Sequence, residues 1–186
     1  MKVTETHIPG LVVIEPYIFE DSRGYFFESY QKSRYQEHGL NASFVQDNES
    51  RSVGGVVRGL HYQLEPFSQA KLVRVIEGRV FDVAVDLRQG SPSFGKWFGL
   101  ELAGEDKKQM YIPRGFAHGF AVLSENAVFT YKCDNVYNRE AERSVNINDP
   151  FLNIDWRLGS VNPVVSEKDM RAPEFEKAEM NFIYQK

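Results

Sequence analysis

The sequence predicts an all-β domain, a jelly-roll β-barrel with short helices only at its periphery. Aromatic residues make up 13% of the chain, with 14 Phe and 9 Tyr, a balance that favours strands over a helical bundle. Short apolar runs, about eight to ten of them, recur at regular spacing between turn residues, as in a sandwich or barrel closed by Greek-key connections. Only one convincing helical pattern precedes the C-terminal segment. With no internal repeat, low-complexity tract or linker, residues 1–186 are expected to form a single domain with a substantial core and a short helical segment near the C-terminus.

Leu11 to Ile14 reads as a strand closed by Glu15-Pro16, and Tyr17-Ile18-Phe19 extends it toward the turn signal Asp21-Ser22-Arg23-Gly24. Tyr25 to Tyr30 is a strand with aromatics on both faces, a pattern that calls for burial in a packed sheet or against a second subunit. Gln31 to His38, followed by Gly39, is a short helix, and Phe44 to Asn48 a strand-like piece entering a polar turn. Lys71 to Ile76 and Arg79 to Leu87 alternate cleanly: Lys71, Val73 and Val75 share one face, and Phe81, Val83 and Val85 share another, with Glu77-Gly78 as a hairpin-type turn between them. Trp97 to Leu102, the strand that His118 begins after the rigid turn Pro113-Arg114-Gly115, and Ala127 to Cys133 complete the barrel, and Tyr131 falls on the face of Phe129 and Cys133. Asp134 to Arg143 is a polar loop. Ser166-Glu167-Lys168-Asp169 has the form of a capping box, which accounts for Asp169 without any further role.

The totals exclude several classes. A formal charge of −4 leaves no electrostatic footprint for nucleic acid, although local basic groups still suit a phosphorylated small molecule. Met1 to His7 lacks the apolar core of a signal peptide, and no apolar run approaches the roughly 20 residues that span a bilayer. The single cysteine, Cys133, excludes an intrachain disulfide and fits a reducing compartment, so a cytoplasmic protein without membrane partners is expected.

The chemistry concentrates in Arg58-Gly59-Leu60-His61-Tyr62-Gln63 and Pro113-x-Gly115-x-x-His118. Strict alternation puts Arg58 and His61 on opposite faces of a strand. Either this is an edge strand with a surface arginine and a half-buried histidine, or the parity slips at Gly59, a residue type that permits a bulge. Lys71 either snorkels at a barrel mouth or aims at an anion. Histidines after glycine-bearing turns resemble the metal ligands of cupin barrels, but Gln63 stands where a second histidine would, and His7 and His38 are poorly placed, so a full ligand set is not expected. Without metal, the imidazole, ammonium, phenol, guanidinium and carboxylate groups suit proton transfer beside a carbonyl. Imidazole is a workable base because its unperturbed pKa is roughly 6.5.

The segments Phe19 to Gly24, Phe44 to Asn48, Arg58 to His61, Lys71 to Arg74, Phe81 to Asp86, Ile112 to Phe120, Tyr131-Lys132 and Ser166 to Asp169, in this order and spacing, resemble the dTDP-4-dehydrorhamnose 3,5-epimerases of dTDP-L-rhamnose synthesis. The resemblance implies a homodimeric cupin-type jelly roll, free of metal and cofactor, that inverts C3 and C5 of dTDP-4-dehydro-6-deoxy-D-glucose through an enolate. It makes His61 the proton acceptor, Asp169 its carboxylate partner, Lys71 the holder of the C4 oxyanion and Tyr131 the proton donor. His118 would contact the sugar, with Asp82 orienting it. Arg23, Glu28, Gln46, Asp47, Asn48, Arg58, Glu142 and Lys168 match substrate-binding positions, and Tyr137 matches an aromatic that stacks on thymine. Arginines suit the diphosphate because their planar forks pair with its oxygens. N-terminal strands exchanged with a neighbouring subunit would explain the two-sided aromatic segment.

Rival readings are an enzyme acting at C5 or C3 alone on a related dTDP-4-keto sugar, a non-catalytic nucleotide-sugar-binding jelly roll, and a metal-dependent barrel. Tyr131 counts against loss of the C5 acid, and the joint presence of His61, Lys71, Tyr131 and Asp169 against a module that only binds.

Overall fold

A computed structural model describes residues 1–185; the final residue of the expected domain lies outside them. The strands are β1 (Lys2–Glu5), β2 (Val12–Glu15), β3 (Ile18–Asp21), β4 (Gly24–Phe27), β5 (Gln46–Val53), β6 (Val56–Gln63), β7 (Lys71–Glu77), β8 (Arg79–Asp86), β9 (Trp97–Ala103), β10 (Gln109–Ile112), β11 (Phe116–Val122), β12 (Asn126–Cys133), β13 (Glu142–Ser144) and β14 (Val164–Val165). Two helices, α1 (Lys32–Gln36) and α2 (Glu167–Met170), and a 3-10 turn at Phe175–Lys177 are peripheral. Strands exceed the expected number because β1, β13 and β14 are too short for alternation to signal them.

One sheet runs β1-β2-β10-β7-β12-β5 and the other β13-β6-β11-β8-β9, with β14 beside β6. Strands distant in sequence become neighbours, as the Greek-key expectation requires. Val73, Val75, Met110 and Phe129 of the first sheet meet Val80, Ala84, Phe120 and Val122 of the second in the barrel interior. Phe81, Val83 and Val85 point the other way, under Trp156, Phe175 and Phe182 of the C-terminal segment. β8 is thus covered on both faces, which explains its near-continuous apolar run. Each such fully buried side chain contributes about 1.5–3 kcal/mol by leaving water.

Several local expectations are corrected. Glu77-Gly78 does not close a hairpin: β7 and β8 belong to different sheets, and Gly78 (φ +77°) carries the chain between them. Ser124 Oγ holds the exit by accepting from the Arg79 amide at 2.8 Å. The same turn chemistry serves a strand pair and a change of sheet. Tyr17 to Phe19 does not extend β2, because Pro16 ends that strand and β3 pairs only with β4 in a separate hairpin. Burial of this hairpin within the chain's own sheets is also overturned, since Phe19 is 58% and Phe26 69% exposed. The helix expected over Gln31 to His38 shrinks to α1, without a side-chain N-cap. Its buried Tyr35 anchors it by donating to Gln109 Oε1 at 2.5 Å. Within the polar loop, Glu142–Ser144 pairs with the end of β6.

The parity slip at Gly59 does occur. On β11 His118 faces His61 and Phe120 faces Arg58, so β6 carries one residue more over that length. Gly59 adopts φ +137°, and a Cβ on it would stand 2.6 Å from Gly119 Cα. Gly59→Ala is therefore expected to destabilise the protein by about 2–4 kcal/mol in urea unfolding, and a loss under about 0.5 kcal/mol would show that the approach relaxes freely.

Candidate active site

β6, β7, β11, β12 and the β12–β13 loop enclose a cavity of about 210 Å³, and its lining includes Arg58, His61, Lys71, His118, Tyr131, Tyr137 and Glu142. His61 and His118 come from the second sheet, Lys71 and Tyr131 from the first. Inward alternation along β7 (Lys71, Val73, Val75) and along β12 (Phe129, Tyr131) brings these groups to the barrel mouth without any slip.

Asp169 stands behind His61, its Oδ1 2.7 Å from His61 Nε2. The capping box forms by half: Ser166 Oγ accepts from the Asp169 amide at 3.1 Å, while the Asp169 carboxylate turns to the histidine. Burial would raise the Asp169 pKa. The hydrogen bond and charge of His61, the Gly59 amide and Ser166 outweigh burial and hold it below the ordinary carboxylate value.

Lys71 Nζ lies 5.5 Å from the centroid of the Tyr131 ring. Burial lowers the ammonium pKa, opposed by Cys133, Asp82 and Glu142. Its place among the cavity groups fits the anion-directed reading better than a snorkelling lysine. Burial pushes the Tyr131 phenol up, so it stays protonated at neutral pH. Deeper in the wall, His118 Nε2 lies 2.9 Å from Asp82 Oδ2, both side chains buried. Burial lowers the His118 pKa, opposed by Asp82, which favours a neutral imidazole donating to the carboxylate.

At the mouth, the Tyr137 hydroxyl donates to Glu142 Oε2 at 3.0 Å and Lys168 Nζ to the same oxygen at 2.5 Å. Gln46 Oε1 accepts from the Tyr137 amide at 2.9 Å, and its amide nitrogen donates to Asn48 Oδ1 at 3.0 Å. Arg58 Nε donates to Ser52 Oγ at 3.1 Å. Three expected site residues lie elsewhere within the single chain. Asp47 is on the outer face of β5, bonded to Lys132 at 2.9 Å. Arg23 is at the exposed tip of the β3–β4 hairpin, paired with Asp21, and Glu28 pairs with Arg34. A cavity of about 280 Å³ on the first sheet contains Asp47, Asn48, Arg74, Gln109, Tyr131 and Lys132 but neither cavity histidine, so Tyr131 borders both cavities and Asn48 this one.

Sequence reading missed Ser50, Gln63, Gln69 and Phe120 as lining residues. Parity from Gln46 through Asn48 would have found Ser50, and parity from His118 would have found Phe120. Gln63, in the position of a second histidine, spends its amide on Phe67, Val136 and Asn138. Among the described residues no three His, Cys, Asp or Glu side chains converge into a metal-holding group.

The Asp169 contact has a pH signature. Because its folded pKa lies below the unfolded value, its stabilisation is present above the unfolded pKa and is lost as pH falls through the folded one. Asp169→Asn should lower stability by about 1–3 kcal/mol at neutral pH. It should also flatten the acid limb of the stability curve measured by urea unfolding across pH; an unchanged acid limb would show that the contact carries no linkage.

Known proteins resemble this chain over nearly its whole length. The family model described as dTDP-4-dehydrorhamnose 3,5-epimerase matches residues 5–177. A dTDP-4-dehydrorhamnose 3,5-epimerase of Pseudomonas aeruginosa is 53% identical over 180 residues, covering 96% of this chain and 98% of that protein. The crystal structure of the dTDP-4-dehydrorhamnose 3,5-epimerase of Elizabethkingia anophelis superposes with a TM-score of 0.91 at 56% identity, over 95% of this chain and 97% of that one. The dTDP-6-deoxy-D-glucose-3,5-epimerase of Legionella pneumophila, solved in complex with dTDP-4-keto-L-rhamnose, superposes with a TM-score of 0.95 at 50% identity, over 100% of this chain and 99% of that one. With a cupin-type jelly roll and matches of this extent, the chain belongs to the dTDP-4-dehydrorhamnose 3,5-epimerase family.

Proposed function

We propose that this chain, an isomerase of dTDP-L-rhamnose biosynthesis, converts dTDP-4-dehydro-6-deoxy-D-glucose to dTDP-4-dehydro-L-rhamnose with His61 as base and Tyr131 as acid. The observation that carries these roles is the placement of His61 with Asp169 on one wall of a single cavity and Lys71 with Tyr131 on the other. C3 and C5 both flank the C4 ketone. His61 takes the C–H proton, the electron pair moves into the C4 carbonyl as an enolate, and Lys71 holds the oxyanion. A proton returned from the opposite wall inverts the centre, with Tyr131 as its source at C5. No electrons are gained or lost, so the reaction requires no redox cofactor.

Asp169 orients His61 and stabilises its protonated form. His118, held by Asp82, contacts the sugar. Arg58 meets the diphosphate, and Gln46, Asn48, Glu142, Lys168 and Tyr137 build the nucleotide end. We assign Arg23, Glu28 and Asp47 to substrate binding in a homodimer in which the β3–β4 hairpin of one copy reaches the neighbour's site. The exposed aromatics of that hairpin, Arg23 at its tip and the open face of the first sheet support this arrangement. The described residues act as one domain. No helix among them is long and apolar enough to cross a membrane, and a cytoplasmic setting suits the buried Cys133 thiol.

His61→Asn should lower kcat by about a thousandfold or more while leaving dTDP binding intact, and surviving turnover would refute the base assignment. Proton NMR in deuterated water should show label at both C3 and C5 with wild type and at C3 alone with Tyr131→Phe; label at one carbon with wild type would make the protein a single-centre epimerase. Sedimentation should give a dimer that Phe26→Asp weakens, whereas a wild-type monomer with full activity would remove the hairpin from the site.

A further inference from the structure

Gln63 ends β6 two residues beyond His61 and is 5% exposed. Its Nε2 donates to the Phe67 carbonyl at 2.7 Å and the Val136 carbonyl at 3.2 Å, and its Oε1 accepts from the Asn138 amide at 2.6 Å. The residues on either side of Tyr137 are thus held by one buried side chain. Gln46, from the other sheet, holds the amide of Tyr137 itself. The Tyr137 ring has little packing of its own: it is 54% exposed, and its hydroxyl bonds only to Glu142 among the described residues. A ring so poorly supported takes its position from its backbone, and holding it in place before ligand arrives removes an ordering cost from binding.

We infer that Gln63 is a positioning residue that sets the Tyr137 ring for the nucleotide base, acting through the 136–138 backbone without touching the reacting sugar. The inference rests on the reading of Tyr137 as the base-stacking aromatic. It explains why the side chain beside His61 is an amide: the carbonyls of Phe67 and Val136 need a donor and the amide of Asn138 an acceptor, and only Asn and Gln carry both as neutral groups with two donor hydrogens.

The test uses Gln63→Leu in the full chain, with Gln63→Met as a second variant of similar volume should leucine prevent folding. Amide hydrogen exchange at Asn138 without ligand should accelerate by about tenfold or more, reporting the lost acceptor. Affinity for dTDP, read by calorimetry, should fall about tenfold, and KM should rise in step while kcat stays within about twofold. In a Tyr137→Ala background, Gln63→Leu should add nothing to the loss of dTDP affinity. Equal weakening in both backgrounds, or unchanged dTDP affinity, would overturn the inference. A wild type that binds dTDP but does not epimerise defeats the proposed reaction, while the dTDP cycle still decides the role of Gln63. A wild type that does not bind dTDP overturns both.

Discussion

The close approach of the Gly59 and Gly119 backbones is the constraint on which the site depends. Two strands of the second sheet meet there without side chains between them, and β6 gains a residue relative to β11. That extra residue lets Arg58 and His61 line one cavity, which strict alternation forbids. The same segment offers the Gly59 amide to Asp169, so the irregularity that aims the histidine also helps to hold its carboxylate partner. A side chain at either glycine would press on the other strand and disturb both effects at once.

Charge at the barrel mouth is held in pairs rather than left bare. His61 leans on Asp169 and His118 on Asp82, while Glu142 gathers Tyr137 and Lys168 at the rim. Burial of ionisable groups is costly unless each has a partner. Arg58 and Lys71 are the exceptions among the charged cavity groups: Arg58 meets only the Ser52 hydroxyl, while the Lys71 ammonium faces the Tyr131 ring, burial pulls its pKa down, and no hydrogen bond to it is found among the described residues. A cation kept underused in the free protein would be available, in the proposed reaction, to an oxyanion, which is the condition for stabilising a transition state more than a ground state.

α2 shows how tertiary contacts redirect a local motif. Ser166 caps the helix as its sequence indicates, yet the carboxylate that would have closed the box lies against His61. Lys168, one residue earlier, reaches Glu142 at the cavity mouth. One short helical turn thereby supports both His61 and the mouth of the cavity. Local propensity accounts for its existence, and only the partner strand accounts for what its acidic residue does.

Periodicity was enough to determine the all-β class, the inward set of β7 and β12 and hence the sharing of a face by Lys71 with Val73 and by Tyr131 with Phe129, because side-chain alternation is a property of each strand alone. The ordered motifs likewise pointed to the family. Tertiary structure alone decided that Gly78 changes sheets, that the β3–β4 hairpin stands free, that Asp47 faces outward and that Gln63 clamps the loop carrying Tyr137. Each of these depends on which distant strand or loop lies alongside, and pairing between segments far apart in sequence leaves no trace in the local pattern of either one.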